Sequence, residues 1–284
     1  MKIALCTDTT AGISLKQAEN LGVYLVHMPI IIDGEVFYEE KNISQKDIFD
    51  AVNSGKKVST SQPSAGGLVD LWDKILGDGF DQIIYIPMSS GLSHSYKTAK
   101  MLSSNYNGKV IVVDNHRISV TLKNSVLYAK KMIDQNFDSQ EIKSHLENDS
   151  FNSKIYLAVK DLNYLRNGGR IGFTTAFLGN FLSIHPILTI EGFKVNIFAK
   201  IRGNIDRCES KIIETVKNDL KFNDKHVSIG LAGSGINDDV KNNWINLVKS
   251  NFPFANVYYD PLPANISVHT GPESIGIGFS FENI

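Results

Sequence analysis

Two cysteines among 284 residues, Cys6 and Cys208, lie far apart and match no metal-ligand spacing, which speaks against a disulfide framework. Cys6 sits in an apolar run and reads as a small core residue. So few thiols fit a reducing compartment. No stretch approaches the ~20 apolar residues that span a bilayer. The opening Met1-Lys2-Ile3-Ala4-Leu5-Cys6-Thr7-Asp8 turns polar too early for the apolar region of a signal peptide, so a cytoplasmic protein is expected. Charge of one sign is lacking too. The formal net charge is −1, so no global field draws the chain onto nucleic acid, and Lys200, Arg202 and Arg207 read as a solvated face. Several motifs are missing. No G-x-x-x-x-G-K-[ST] phosphate loop occurs, no G-x-S-x-G nucleophile elbow and no His-Glu-x-x-His. Gly230-Leu231-Ala232-Gly233-Ser234-Gly235 has some dinucleotide-loop character without the full G-x-G-x-x-G spacing. These absences weaken nucleotide-binding, serine hydrolase and zinc protease readings.

What is present is a globular composition, 42% hydrophobic and 21% charged, at a length that favours two domains. The first half alternates strand and helix signals. Strands are expected over residues 3–6, within 23–32, over 82–87 and over 110–113, the clearest of them. Helices are expected over 15–21, 44–52, from Pro63 to Leu76, over 96–102, 120–133 and 141–146. Asp138 and Glu141 have the spacing of a capping box for the last. Strands alternating with helices predict a doubly wound parallel sheet covered on both faces.

The second half reads differently. A strand at 155–159 and a short helix at 161–165 precede an apolar helix at 174–184. Strands 187–190 and 194–198 form a hairpin turned at Glu191-Gly192. Helix 204–220, strand 227–231, helix 238–251 and strand 257–259 follow. This predicts an α/β domain with a largely antiparallel sheet, so the domains are 1–153 and 154–284, with the final strands packing back towards the first.

Three hydroxyl-rich segments fall where strands of the first domain should end: Thr7-Asp8-Thr9-Thr10, Ser59-Thr60-Ser61-Gln62-Pro63-Ser64 and Ser89-Ser90-Gly91-Leu92-Ser93. In open α/β sheets the carboxyl edge binds ligands, and helix N-termini there favour a carboxylate or phosphate. Any one of these hydroxyls taken alone reads more readily as a helix cap. Three on one edge favour a binding site. Adjacent glycines in Leu165-Arg166-Asn167-Gly168-Gly169-Arg170 permit close backbone approach, and the apolar helix behind them lines a cavity or completes a core. Near the end, His269 closes a β-like run beside the turn at Gly271-Pro272. A lone histidine is more often structural than functional, but it also donates to anions.

Taken in order, these segments resemble the DegV family, the fatty-acid-binding subunits of bacterial fatty acid kinase. The resemblance runs nearly end to end, through Thr7-Asp8-Thr9-Thr10, Thr60-Ser61-Gln62-Pro63-Ser64, Ser89-Ser90-Gly91-Leu92-Ser93, Leu162-Asn163-Tyr164-Leu165, Gly168-Gly169-Arg170-Ile171, Pro186-Ile187-Leu188 and His269-Thr270-Gly271-Pro272. It implies two α/β domains with one long-chain fatty acid in a buried tunnel between them and no cofactor. It implies a carboxylate held by Thr60 and Ser93, with His269 as third partner and Ser61, Ser90, Gly91, His94 and Thr270 as head-group neighbours. It implies a carrier and not an enzyme, presenting the carboxylate to an ATP-dependent fatty acid kinase that makes an acyl phosphate for phospholipid synthesis. Arg170 and Arg202 are candidate contacts for that partner, and lipid exchange implies transient membrane contact. His94 and His185 stand where the family commonly has glycine and lysine, and Arg166-Asn167 replaces its usual basic residue. The competing reading is an enzyme that holds a small molecule or nucleotide at the sheet edge.

Overall fold

The structure, a computed structural model, describes residues 1–160, 162–170, 184–220 and 226–282. β1 (Ile3–Asp8), α1 (Leu15–Leu21), β2 (Val23–Val26), β3 (Ile30–Ile32), β4 (Glu35–Phe37), α2 (Gln45–Asn53), β5 (Val58–Thr60), α3 (Ala65–Gly77), β6 (Gln82–Ile86), α4 (Ser95–Ser103), β7 (Val110–Val112), α5 (Ser119–Asp134) and α6 (Ser139–Asn148) make up the first half. Four strands form a parallel sheet in the order β2-β1-β6-β7. Its strands read as unbroken apolar runs because both faces are covered. Period-two alternation sends Ala4, Cys6, Ile83, Tyr85, Val110 and Val112 to one face, with Trp72 and Ile75 of α3 and Ala99 of α4. Leu5, Ile84, Ile86 and Ile111 go to the other, with Leu122 and Val126 of α5 and Ile142 of α6.

The capping box of α6 forms: Asp138 accepts the Glu141 N–H at 2.9 Å and Glu141 accepts the Asp138 N–H at 2.9 Å. Helix α3 starts later than Pro63 suggests, capped by Ser64, which accepts the Gly67 N–H at 3.0 Å. The β-rich stretch 23–32 belongs to two sheets. The chain leaves the parallel sheet at the end of β2, and β3 pairs antiparallel with β4 and β5, in the order β4-β3-β5. Thr60 therefore ends a strand of this small sheet and not of the parallel one, a correction that the short strands conceal in the sequence.

β8 (Ser153–Ala158), α7 (Asn163–Asn167), β9 (Ile184–Glu191), β10 (Lys194–Arg202), α8 (Ile205–Leu220), β11 (His226–Ser234), α9 (Asp238–Asn251), β12 (Asn256–Pro261), α10 (Ala264–Thr270) and β13 (Ser274–Glu282) follow. A six-stranded sheet runs β10-β9-β8-β13-β11-β12, antiparallel except for the β11–β12 pair. The β9–β10 hairpin turns at Gly192-Phe193, and Gly192 takes the left-handed φ of 62° that such a turn requires. The expected helix over 174–184 lies outside the described residues except for Ile184, which begins β9. Helices α8 and α9 cover one face of this sheet, around Ile212, Val216, Trp244 and Val248.

The opposite face packs on α5, which lies between the two large sheets. Close approach is possible because that face is glycine-rich. A Cβ on Gly278 would stand 2.6 Å from Val120 Cγ2, and one on Gly230 would stand 2.4 Å from Val120 Cβ. Helix α10 returns to the first half, where Ala264 and Val268 join Ile30, Ile32 and Ile48 in one buried cluster. The final strand, β13, lies inside the six-stranded sheet and meets the first half through α5, and α10 is a second returning element.

Candidate functional site

Strand order reverses between β1 and β6, since β2 lies on one side of β1 and β6 on the other. The loops after these strands splay apart at such a point and leave a crevice. Asp8 ties them together. Its buried carboxylate accepts the Thr10 N–H at 2.9 Å, the Thr10 hydroxyl, and the Met88 N–H at 2.9 Å. Burial pushes this carboxyl above its ordinary range, against the pull of those three donors.

Beneath the crevice is a cavity walled by the sheet edge and by the glycine-rich face of the six-stranded sheet. Ile155, Leu157, Leu188, Ile190 and Val195 supply the β8–β10 wall, and Gly276 and Gly278 continue it along β13. Met28, Met88 and Leu92 close it from the first half, Leu262 and Ile266 from the segment around α10. The lining is apolar for most of its extent, as a site for a hydrocarbon ligand requires.

Polar groups are few and come from separate elements. Thr60 at the end of β5, Ser93 after β6 and His269 on α10 all line the cavity, joined by Thr10, Ser61, Arg170, Asn265 and Thr270. Thr60 Oγ1 lies 2.7 Å from His269 Nε2. His269 is 9% exposed, and burial, helped by the positive charge of Arg170, pushes it down to about 4, so it is neutral at pH 7. Its Nδ1 has no hydrogen-bond partner among the described residues and lies against Gly168, where a Cβ would come within 2.0 Å. The glycine pair thus serves close approach: Gly168 admits the imidazole and Gly169 turns with φ 68°. If Nε2–H donates to Thr60, the threonine hydroxyl proton is left for a ligand.

Three hydroxyl segments divide between capping and the cavity. Thr7 donates to the Ile86 carbonyl at 2.7 Å, Thr9 accepts the Met28 N–H at 3.1 Å, and Ser89 donates to the Gly192 carbonyl at 3.0 Å. Ser93 accepts the Ser95 N–H at 3.1 Å while also facing the cavity. Of the expected head-group neighbours, Ser61 and Thr270 line the cavity. Ser90, Gly91 and His94 are not in its lining. The Ser90 N–H turns to Asp114 at 3.3 Å, Gly91 is pressed against the Phe193 backbone, and exposed His94 stands at the start of α4.

His269 lies on a helix, not at the end of a strand. With seven residues, α10 is too short for its period to be read; Pro263 begins it and Gly271, φ 77°, ends it. Arg170 is exposed at the cavity mouth, and Arg202 is exposed at the end of β10. Sequence reasoning missed two residues: Asp8, quoted only among hydroxyls, and Asn265, one turn before His269 on α10. Among the described residues no cluster of three His, Cys, Asp or Glu is arranged to hold a metal ion.

Fold and cavity together define a two-part α/β protein with a largely apolar pocket between its two large sheets. The family model described as "Uncharacterised protein, DegV family" matches residues 2–282, and the chain belongs to that family. A DegV domain-containing protein of Clostridium acetobutylicum is 30% identical over 99% of both chains. Among solved structures, a fatty-acid-binding DegV family protein from Thermus thermophilus is 26% identical with a TM-score of 0.90, over 99% of this chain and 100% of that one. DegV of Bacillus subtilis, described as a fatty acid binding protein, is 26% identical with a TM-score of 0.86 over the same shares.

Proposed function

We propose that this protein binds one long-chain fatty acid, with the acyl chain in the cavity and the carboxylate at Thr60, Ser93 and His269. It presents that carboxylate to a separate ATP-dependent fatty acid kinase, which forms the acyl phosphate used in phospholipid synthesis. The protein is a cytoplasmic carrier and the substrate-presenting subunit, not the catalyst, and it takes up its lipid by transient membrane contact. Arg170 and Arg202 are the partner contacts in this reading, while Ser61 and Thr270 border the head group.

The observation that carries the reading is that the Thr60–His269 pair borders two spaces. On one side is the apolar cavity; on the other is an open groove lined by Lys56, Ser59, Asn163 and Asn167. A carboxylate held between them keeps its tail dry while a reagent reaches it from the groove. The Thr60 and Ser93 hydroxyls meet the anion, with neutral His269 orienting Thr60, and without the tight guanidinium pairing that would damp its nucleophilicity. At about 0.8 kcal/mol per buried methylene, fourteen methylenes contribute roughly 11 kcal/mol before ordering costs. The ligands in the descriptions of the Thermus and Bacillus relatives support the same class.

Denaturing extraction and mass spectrometry of the purified protein test this, with one fatty acid per chain expected. Thr60→Ala with Ser93→Ala should lower fatty acid affinity at least about tenfold, since a hydrogen bond to a charged group contributes about 1.5–3 kcal/mol. It should also slow acyl-phosphate formation with a fatty acid kinase. An extract that stays empty after incubation with excess fatty acid, with no gain in thermal stability, sinks the binding reading. Undiminished transfer by the double variant sinks the assigned carboxylate site.

A further inference from the structure

Asn265 is out of place in an acyl tunnel. It lies on α10, four residues before His269, and therefore on the same face of that helix about 6 Å along the axis. It lines the cavity and is 5% exposed, and its Oδ1 is buried without a hydrogen-bond partner among the described residues. Nearby lining comes from Leu262, Ile266 and Ala232, none of which offers a side-chain donor or acceptor. Thr270 also lines the cavity with its Oγ1 buried and unpaired among the described residues, but it stands next to His269, at the carboxylate end of the helix. Ser267 on the opposite side bonds the Leu262 and Pro263 carbonyls and Gln45, and so serves the helix. Burying an amide oxygen without a partner is costly, so a persistent one signals a group that arrives with a ligand.

We propose that Asn265 is a second polar station in the cavity, placed to hydrogen-bond a hydroxyl within the first few carbons of the acyl chain. The preferred ligand class is thus a long-chain hydroxy acid, substituted near the carboxylate. The amide suits a hydroxyl well: Oδ1 accepts its proton and Nδ2 donates to its oxygen. An unsubstituted chain leaves Asn265 facing methylenes, which forfeits the bond without blocking entry. A hydroxyl far down the chain meets Ile155, Leu157, Leu188 or Ile190 and is desolvated without a partner.

The inference rests on the fatty-acid reading, and a competition experiment separates the two. Delipidated protein is titrated with hexadecanoic, 3-hydroxyhexadecanoic and 16-hydroxyhexadecanoic acids, and with Asn265→Leu alongside. The 3-hydroxy acid should bind about tenfold tighter than the plain acid to the wild-type protein, and the 16-hydroxy acid weaker than either. Asn265→Leu should bind the plain acid as well as before or better and lose the 3-hydroxy preference. Equal or weaker binding of the 3-hydroxy acid to the wild-type protein overturns the inference and leaves the carrier reading standing, with Asn265 served by water or by the carboxylate. Failure of all three acids to bind overturns both. The wild-type comparison alone decides the matter should the leucine variant fold poorly.

Discussion

Glu39 holds the start of the helix that carries His269, its carboxylate accepting the Ala264 N–H at 2.8 Å. Burial, with a smaller push from Glu40, raises Glu39 to about 7 from the ordinary 4.5, although the Ala264 bond pulls the other way. In the folded protein Glu39 therefore keeps a proton between about pH 4.5 and 7 that the unfolded chain has already released. By linkage its contribution to stability falls as pH rises through that window, and the loss is complete above it. Glu39→Gln keeps an acceptor for Ala264 and removes the titration. Urea denaturation should find the glutamine variant more stable than the wild-type protein at pH 8, with the gap closing towards pH 4.5. A gap equal at both pH values would mean that Glu39 is not the titrating group. His269 behaves oppositely: lowered to about 4, it stays neutral in the folded protein and opposes stability only as acid charges the unfolded chain.

At the scale of elements, α5 meets the six-stranded sheet across two glycines. Overpacking there is expected to cost about 1–3 kcal/mol, and the atoms involved tell the two positions apart. A methyl at 278 strikes Val120 Cγ2 and approaches Ile155 Cγ1 at 3.1 Å, whereas one at 230 strikes Val120 Cβ and the Tyr258 hydroxyl at 2.8 Å. Shortening Val120 to alanine removes Cγ2 and leaves Cβ. Thermal denaturation should therefore show Val120→Ala rescuing Gly278→Ala and not Gly230→Ala. Equal rescue of both would mean that the helix shifts as a body.

The two halves of the molecule are joined by more than apolar contact. Lys123 of α5 lies 2.8 Å from both carboxylate oxygens of Asp260 on β12, with each side chain about 10% exposed. Beside it, the Tyr258 hydroxyl donates to Asn124 Oδ1 at 2.7 Å and also lies 3.0 Å from the Val120 carbonyl. Removing one partner strands a buried charge, so Lys123→Met should destabilise the protein by about 3–5 kcal/mol in urea denaturation. Adding Asp260→Leu should restore most of the loss, because an apolar pair no longer needs the bond. No recovery would locate the cost in packing and not in charge. The cavity is walled by both halves, so a bound acyl chain should raise the melting temperature of the whole molecule.

The sequence by itself determined the elements with long or repeated signals. The apolar runs at β1, β6 and β7, the helices α1 and α9, the capping box of α6 and the Gly192 turn were all legible, because each depends on neighbours a few residues away. Thr60, Ser93 and His269 were legible as residues through motif resemblance, not through any local rule. Tertiary structure alone decided that they line one cavity, since Thr60 and His269 are 209 residues apart in sequence. It also decided that Thr60 sits on a separate small sheet, that seven residues around His269 coil into a helix, and that Asn265 Oδ1 is buried without a partner among the described residues. Short elements carry too few residues for periodicity, and burial is a property of the surfaces that meet, which no stretch of chain contains alone.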